Sequence, residues 1–230
     1  MVGIIIQSRM GSARLPGKSL RKIQGEPLLH YCVARAKLSK YADELVVATT
    51  IKQEDDSIEE WCLANGVECF RGSEEDVLDR YYQAASKYGF QTVVRLTADN
   101  PFIDPKLIDL LIISFLVYDN DYIGMGNNWP YGLGIEVLTF ETLKKVWEAA
   151  TLEPHREHVT LYIKENADSF KTKRIPLDRN LSNIRLTVDY QKDFDRAEKL
   201  LCGLLSKFGI NFSWYEAVNL YKEMKFDEKI

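Results

Sequence analysis

Short β-branched runs alternate with helix-period segments from Gly3 to Val117, and this alternation limits the folds open to the chain more than any other feature. Gly3–Gln7, Glu44–Thr49 (ELVVAT), Val67–Phe70 and Gln91–Thr97 are brief apolar runs. Between and after them, Pro27–Leu38, Glu54–Asn65, Glu75–Tyr88 and Pro105–Val117 are predicted helices, with Gly66 and Gly89 placed as C-terminal stops. Parallel strands need crossover helices between them, so this order predicts an α/β fold with a largely parallel sheet and right-handed connections.

The pattern loosens after Tyr118. Short strands are expected at Asp121–Gly124 and Ile135–Thr139 around a glycine-rich turn, Gly124–Gly134. Helices are expected at Phe140–Ala150 and Pro154–Asn166, and strands at Phe170–Pro176 and Ile184–Val188. Asp193–Phe208 is amphipathic, with Phe194, Ala197, Leu201, Leu204 and Phe208 on one face, and a last helix is expected at Ser213–Lys225. The helix at Pro105–Val117 is apolar on nearly every face, so it is expected in the core or at an interface. No repeat or linker-like stretch interrupts the chain, and one domain over 1–230 is expected.

Composition narrows the function classes. With 46 % apolar and 28 % charged residues the chain belongs with folded proteins. A net charge of −4 argues against a whole-surface nucleic-acid binder, so any anion site must be a local basic patch. Met1–Gln7 reads as a buried strand rather than a signal peptide, and Leu107–Tyr118, broken by Asp109 and Ser114, is far short of the ~20 residues of a membrane span. Cys32, Cys62, Cys69 and Cys202 show no C-x-x-C spacing and read as reduced thiols of a cytoplasmic protein.

Such a patch follows the first strand. Arg9, Arg14, Lys18, Arg21 and Lys22 are basic, no acidic residue lies between Arg9 and Lys22, and Gly11, Ser12, Gly17 and Ser19 let backbone N–H groups approach a ligand. The end of the first strand of a parallel sheet is where polyphosphates bind. The spacing is not that of a Walker loop, because Gly11 and Gly17 stand one residue too far apart, and the dinucleotide pattern G-x-G-x-x-G is missing. A second signal is the pair Arg95-Leu96-Thr97-Ala98-Asp99 and Arg185-Leu186-Thr187-Val188-Asp189, both R-L-T-x-D at a strand end. Two carboxylates meeting there would suit Mg²⁺; each alone would equally suit a turn cap.

Five segments together carry a family resemblance: RMGSARLPGK at Arg9–Lys18, FRGSEEDVLDRY at Phe70–Tyr81, LTADNPFID at Leu96–Asp104, REHVT at Arg156–Thr160 and L-T-V-D-Y-x-x-D at Leu186–Asp193. In order and over nearly the whole chain they resemble the cytidylyltransferases named after spore coat polysaccharide biosynthesis protein F. That group is related to the acylneuraminate and 3-deoxy-manno-octulosonate cytidylyltransferases. The resemblance implies a single Rossmann-like domain of the nucleotide-diphospho-sugar-transferase type, with a mostly parallel mixed sheet flanked by helices. It also implies a homodimer that uses Mg²⁺ and CTP to make a CMP-sugar and pyrophosphate for surface polysaccharide or glycoconjugate assembly. Carried over by motif, Arg9, Arg14 and Lys18 would hold the triphosphate, with Gly11 and Ser12 near the nucleotide. Asp99 and Asp189 would hold the metal, with Asp193 as a structural partner, and Arg71, Gly72, Ser73 and Arg80 would fall near the cytidine. Arg9, Lys18, Asp99 and Asp189 are the expected catalytic set.

Acceptor contacts are expected around Tyr131, Glu136, His155, Arg156 and His158, each with an alternative. Glu136 could bind acceptor hydroxyls or be a solvent-facing strand residue. Tyr131 and Trp129 could stack on a sugar or pack their own loop. His155 and His158, taken as neighbours on one helix face, could contact acceptor or a partner subunit, or lie idle on a surface; zinc lacks a third ligand. The segments Leu107–Val117 and Thr151–Pro176 are the expected dimer surfaces. Alternatives within the fold are another nucleoside triphosphate, a sugar or polyol phosphate as acceptor, or a non-catalytic nucleotide binder. A NAD-linked oxidoreductase ranks last for want of the glycine pattern.

Overall fold

A computed structural model of the chain describes residues 1–226. The first half runs β1 (Val2–Gln7), a basic loop, a hairpin of β2 (Lys22–Ile23) and β3 (Glu26–Pro27), α1 (Leu28–Ala36), β4 (Glu44–Thr50), α2 (Asp56–Ala64), β5 (Glu68–Gly72), α3 (Val77–Lys87), β6 (Thr92–Thr97) and α4 (Pro105–Tyr118). The second half adds β7 (Tyr122–Met125), β8 (Glu136–Thr139), α5 (Phe140–Ala149), α6 (Glu153–Glu157), α7 (Leu161–Glu165), β9 (Thr172–Ile175), α8 (Gln191–Phe208) and α9 (Trp214–Glu223).

Seven strands form one mixed sheet in the order β5-β4-β1-β6-β8-β7-β9. β5, β4, β1 and β6 are parallel, β8 runs against both β6 and β7, and β9 is parallel to β7. The chain winds outward from β1 through β4 to β5, then returns to place β6 on the other flank of β1. That reversal opens a crevice at the carboxyl ends of β1 and β6, the place where open α/β sheets bind ligands.

Alternate strand residues face opposite sides, and both sides are covered. Ile4, Ile6, Val47, Val94 and Leu96 enter a core with α1, α4 and α8. Ile5, Val46, Ala48 and Val93 enter a second core with α3 and α5. Burial on both faces is why these strands read as continuous apolar runs.

Two sequence expectations are corrected. Residues 184–188 are extended but do not join the sheet: beyond one isolated bridge between Tyr131 and Arg185, they bond to the loops above the strand ends. Leu186 N–H donates to Tyr131 O (2.7 Å) and Val188 N–H to Asp99 O (2.9 Å). The free flank of β6 is already filled by β8, so the segment becomes a strap across the crevice. It passes so close to the glycine-rich turn that a Cβ on Gly132 (φ 108°) would stand 2.4 Å from Thr187 N.

The helix expected at Pro154–Asn166 is two helices, α6 and α7, broken where His158 leaves helical geometry (φ −105°, ψ 60°). At the break Thr160 turns its hydroxyl onto Glu136 Oε1 (2.9 Å). His155 is buried within α6 against Glu165 and Tyr162, while His158 is the exposed residue that caps the helix, so the two have different surroundings.

The helix α4 is buried on one side only, through Leu107, Ile108, Leu111, Ile112 and Phe115, while Leu116 and Val117 are exposed. No helix among the described residues is long and apolar enough to cross a membrane.

Candidate active site

The basic loop leaves β1 at Gln7 and is fixed by its own short-range chemistry. Met10 O accepts the N–H groups of Ser12 (2.8 Å) and Gly17 (2.9 Å), which closes the loop, and Gly17 takes φ 69° to make the turn. Ser19 Oγ donates to Arg9 O (3.1 Å). The far anchor is Asp55, fully buried just before α2: it accepts the Met10 N–H (2.6 Å), the Thr50 N–H (3.2 Å) and the Thr50 hydroxyl at the end of β4. Sequence reasoning did not single out Asp55, because an aspartate opening a helix looks like an ordinary cap.

Across the crevice stand Asp99, two residues beyond β6, and Asp189, at the end of the strap. Lys18 Nζ donates to Asp99 Oδ2 (3.0 Å), Asp189 Oδ1 (3.1 Å) and Val188 O (2.7 Å). Arg14 Nη2 also donates to Asp189 Oδ1 (2.8 Å). Each carboxylate keeps its other oxygen for a local anchor: Thr97 Oγ1 donates to Asp99 Oδ1 (2.5 Å) and Arg185 Nη2 to Asp189 Oδ2 (2.7 Å). Asp193 caps the start of α8 and gathers Arg185, Arg196 and two backbone N–H groups. Burial opposes its ionisation, but these bonds hold the Asp193 carboxyl below the usual carboxylate range.

Two cavities meet here. One, of about 510 Å³, is lined by the basic loop, including Arg9, Ser12, Arg14 and Lys18, and reaches Arg80 of α3. The other, of about 680 Å³, is lined by the glycine-rich turn with Tyr131, Glu136, Lys164 and Arg174. Arg14, Arg95, Thr97, Asp99, His158 and Asp189 line both, so they form the seam.

The second cavity is organised by Glu136 rather than open at it. Oε2 accepts Arg95 Nη1 (2.7 Å); Oε1 accepts Tyr122 OH (2.6 Å), Thr160 Oγ1 (2.9 Å) and Lys164 Nζ (2.7 Å). Burial works against its ionisation, but Arg95 and Lys164 prevail and hold the carboxyl down to about 2. The same carboxylate, after burial itself, pushes the Tyr122 hydroxyl up, which leaves it a donor. Arg95 is further held by Gln7 Oε1 (3.2 Å), and its buried Nε has no partner among the described residues. Arg95 entered the sequence reading only as the first residue of R-L-T-x-D and Lys164 not at all, because Glu136 assembles them from distant segments.

Other expected residues fall elsewhere. Arg71 lines neither cavity: it bridges Asp56 (2.6 Å), Glu59 (2.9 Å) and the carbonyls of Thr50 and Lys52, tying β5 to β4 and α2. Gly72 ends β5 and Ser73 follows it; Ser73 O accepts Arg80 Nη1 (2.6 Å), and Arg80, almost wholly buried, is the member of this group that reaches the loop cavity. Gly11 lies inside the loop and lines neither of these two cavities. His155 is buried against Glu165 (2.7 Å) and the edge of Tyr162, away from both cavities. Arg156 clamps Asp76 at the start of α3 (Nε 2.8 Å) and Trp147 O (2.7 Å). Trp129, by contrast, lines the second cavity while it is mostly buried, donates to Ile175 O (2.9 Å) and packs edge-on to Trp214.

The donor set suits a hard divalent cation. Two carboxylate oxygens converge on one ammonium, and Mg²⁺ takes one or two carboxylates with water and phosphate oxygens. Among the described residues no group of three or more His, Cys, Asp or Glu side chains could hold a metal ion. Its remaining ligands would have to come with the substrate.

A crevice at the reversal of a parallel sheet, with a cationic loop on one lip and two carboxylates on the other, defines a nucleotidyltransferase-type α/β protein. The chain belongs to the cytidylyltransferase family, whose model matches residues 3–228. It is 37 % identical over 203 residues to spore coat polysaccharide biosynthesis protein SpsF of Bacillus subtilis, covering 85 % of this chain and 84 % of that one. A solved cytidylyltransferase from Leptospira borgpetersenii superposes with a TM-score of 0.92 at 35 % identity, over 97 % of this chain and 94 % of that one. A CMP:2-keto-3-deoxy-manno-octonic acid synthetase solved with CTP shares the fold, with a TM-score of 0.66 at 17 % identity over 88 % and 98 % of the two chains.

Proposed function

We propose that the protein is a Mg²⁺-dependent cytidylyltransferase that moves CMP from CTP to an anionic sugar and releases pyrophosphate. The observation that carries this reading is the seam: the basic loop and both aspartates stand where a nucleotide-sized cavity opens into a second one. An acceptor oxygen in the second cavity would attack the α-phosphorus in line while the bond to pyrophosphate breaks. Asp99 and Asp189 would hold Mg²⁺, which when bound supplies Lewis-acid activation of the phosphoryl group. Arg9, Arg14 and Lys18 would neutralise the triphosphate and the departing pyrophosphate. Ser12 lies along the same lip, and Arg80 at the inner end of the cavity.

On the acceptor side, Glu136 spends one charge on two cations, Arg95 and Lys164, and Arg174 is bonded to the neutral Asn127 Oδ1 (2.9 Å). This balance favours a carboxylate or phosphate on the acceptor. Arg95 stands at the seam as a fixed cation beside the transferring group, with His158 and Tyr131 as further acceptor contacts. A CMP-sugar for a surface polysaccharide fits the name of the spore coat relative; a homodimer working in the cytoplasm belongs to the same reading. The test is pyrophosphate release from CTP with a panel of sugar acids, sugar phosphates and neutral sugars. Release confined to anionic acceptors is expected; release with neutral sugars alone would overturn the acceptor reading. A sedimentation mass of one chain at micromolar concentration would remove the dimer.

A further inference from the structure

The cations meant for phosphate are all engaged with carboxylates. Lys18 spends its three donors on Asp99, Asp189 and Val188 O, Arg14 pairs with Asp189, and Arg9 faces Glu74 at 3.9 Å. An ammonium has three protons, so no phosphate oxygen can reach Lys18 until one of these partners leaves. The aspartates are built for that exchange. Asp99 is fixed through Oδ1 by Thr97 and Asp189 through Oδ2 by Arg185, which leaves Asp99 Oδ2 and Asp189 Oδ1 as the oxygens lent to Lys18. Either can change partner without its carboxylate losing position.

From this geometry we propose that Asp99 and Asp189 determine which form of the nucleotide is accepted, admitting the metal complex and excluding the free polyanion. The proposal rests on the nucleotide reading above. A free triphosphate must displace two carboxylates from Lys18 and Arg14 and then lie beside them unshielded, with like charges in contact. A triphosphate carrying a divalent cation gives each aspartate a new counter-ion as it takes Lys18 and Arg14 for itself. The aspartates would thus be specificity-determining as well as metal-holding. Their neutralisation should raise affinity for metal-free nucleotide while it lowers turnover.

The test is calorimetric titration of CTP, and separately of inorganic pyrophosphate, in Mg²⁺ and in excess EDTA. It is run on the wild type, Asp99→Asn, Asp189→Asn and Lys18→Ala. Wild type should bind CTP in Mg²⁺ and at least about tenfold more weakly in EDTA, the scale of one charge-assisted contact. In EDTA, Asp99→Asn should bind both probes about tenfold more tightly than wild type, and Asp189→Asn the same; Lys18→Ala should bind weakly in both media. Asp99 is part-exposed and its asparagine keeps the Thr97 bond, so this variant remains informative if Asp189→Asn folds poorly. Equal wild-type affinity with and without Mg²⁺, or aspartate variants no tighter than wild type in EDTA, would overturn the proposal and leave the nucleotide reading standing. Absence of wild-type binding in both media would remove both.

Discussion

The two sides of the crevice use carboxylates in opposite ways. On the loop side, Asp99 and Asp189 each commit one oxygen to an anchor and lend the other to Lys18. On the turn side, Glu136 commits both oxygens to four donors. A saturated buried carboxylate has nothing left for a ligand, but it fixes its partners: Glu136 is a strut that aims Arg95 and Lys164. A half-committed carboxylate can trade partners when charge arrives. The same functional group is therefore frame on one side and exchangeable ligand on the other, and the hydrogen-bond inventory tells them apart where residue type does not.

This contrast can be broken at several points. Glu136→Ala leaves Arg95 and Lys164 without their buried counter-ion and should cost about 3–5 kcal/mol of stability in urea unfolding. Glu136→Gln keeps the shape but not the charge and should lose less. If either unfolds like wild type, Glu136 is no strut. Lys18→Ala and Asp99→Asn act on the other side and should fold normally yet lose about 10²–10³-fold in turnover, read as pyrophosphate release. Near-normal turnover in a folded variant would remove that residue from the mechanism.

Asp55→Asn should weaken Mg²⁺-CTP binding about tenfold with a smaller change in melting temperature, since it loosens the Met10 N–H that starts the loop. Unchanged affinity would make Asp55 part of the frame alone. Acid provides a subtler probe. The Glu136 carboxyl ionises near 4.5 when unperturbed and at about 2 in the fold. Because its folded value is depressed, its contribution is complete above pH 4.5 and lost as pH falls towards 2. The wild type should lose stability across that window more than Glu136→Gln does; parallel curves would contradict the assignment.

The same contrast explains what the sequence made legible. Arg9 to Lys18 are contiguous, so a basic, acid-free loop after a β-branched strand is visible in one glance, and the strand–helix alternation that places it is equally local. The turn side is assembled from Arg95, Tyr122, Glu136, Thr160 and Lys164, brought together by β6, β7, β8 and the break between α6 and α7. No spacing along the chain encodes that meeting. His155 and His158 looked equivalent until the break at His158 sent one to Glu165 and the other to the seam. The segment 184–188 has a strand's composition and a strand's extension; what local pattern could not reveal was that β8 already occupies its place beside β6.

The most direct test of the account is thermal unfolding with Mg²⁺ and each of CTP, UTP, GTP and ATP in turn. A ligand at 100 times its dissociation constant stabilises the native state by about 2.7 kcal/mol, a shift that is easily seen. CTP should raise the melting temperature, the other three should do so less, and the rise should need Mg²⁺. A melt that none of the four nucleotides moves would contradict it, because the basic loop would then not be a triphosphate site.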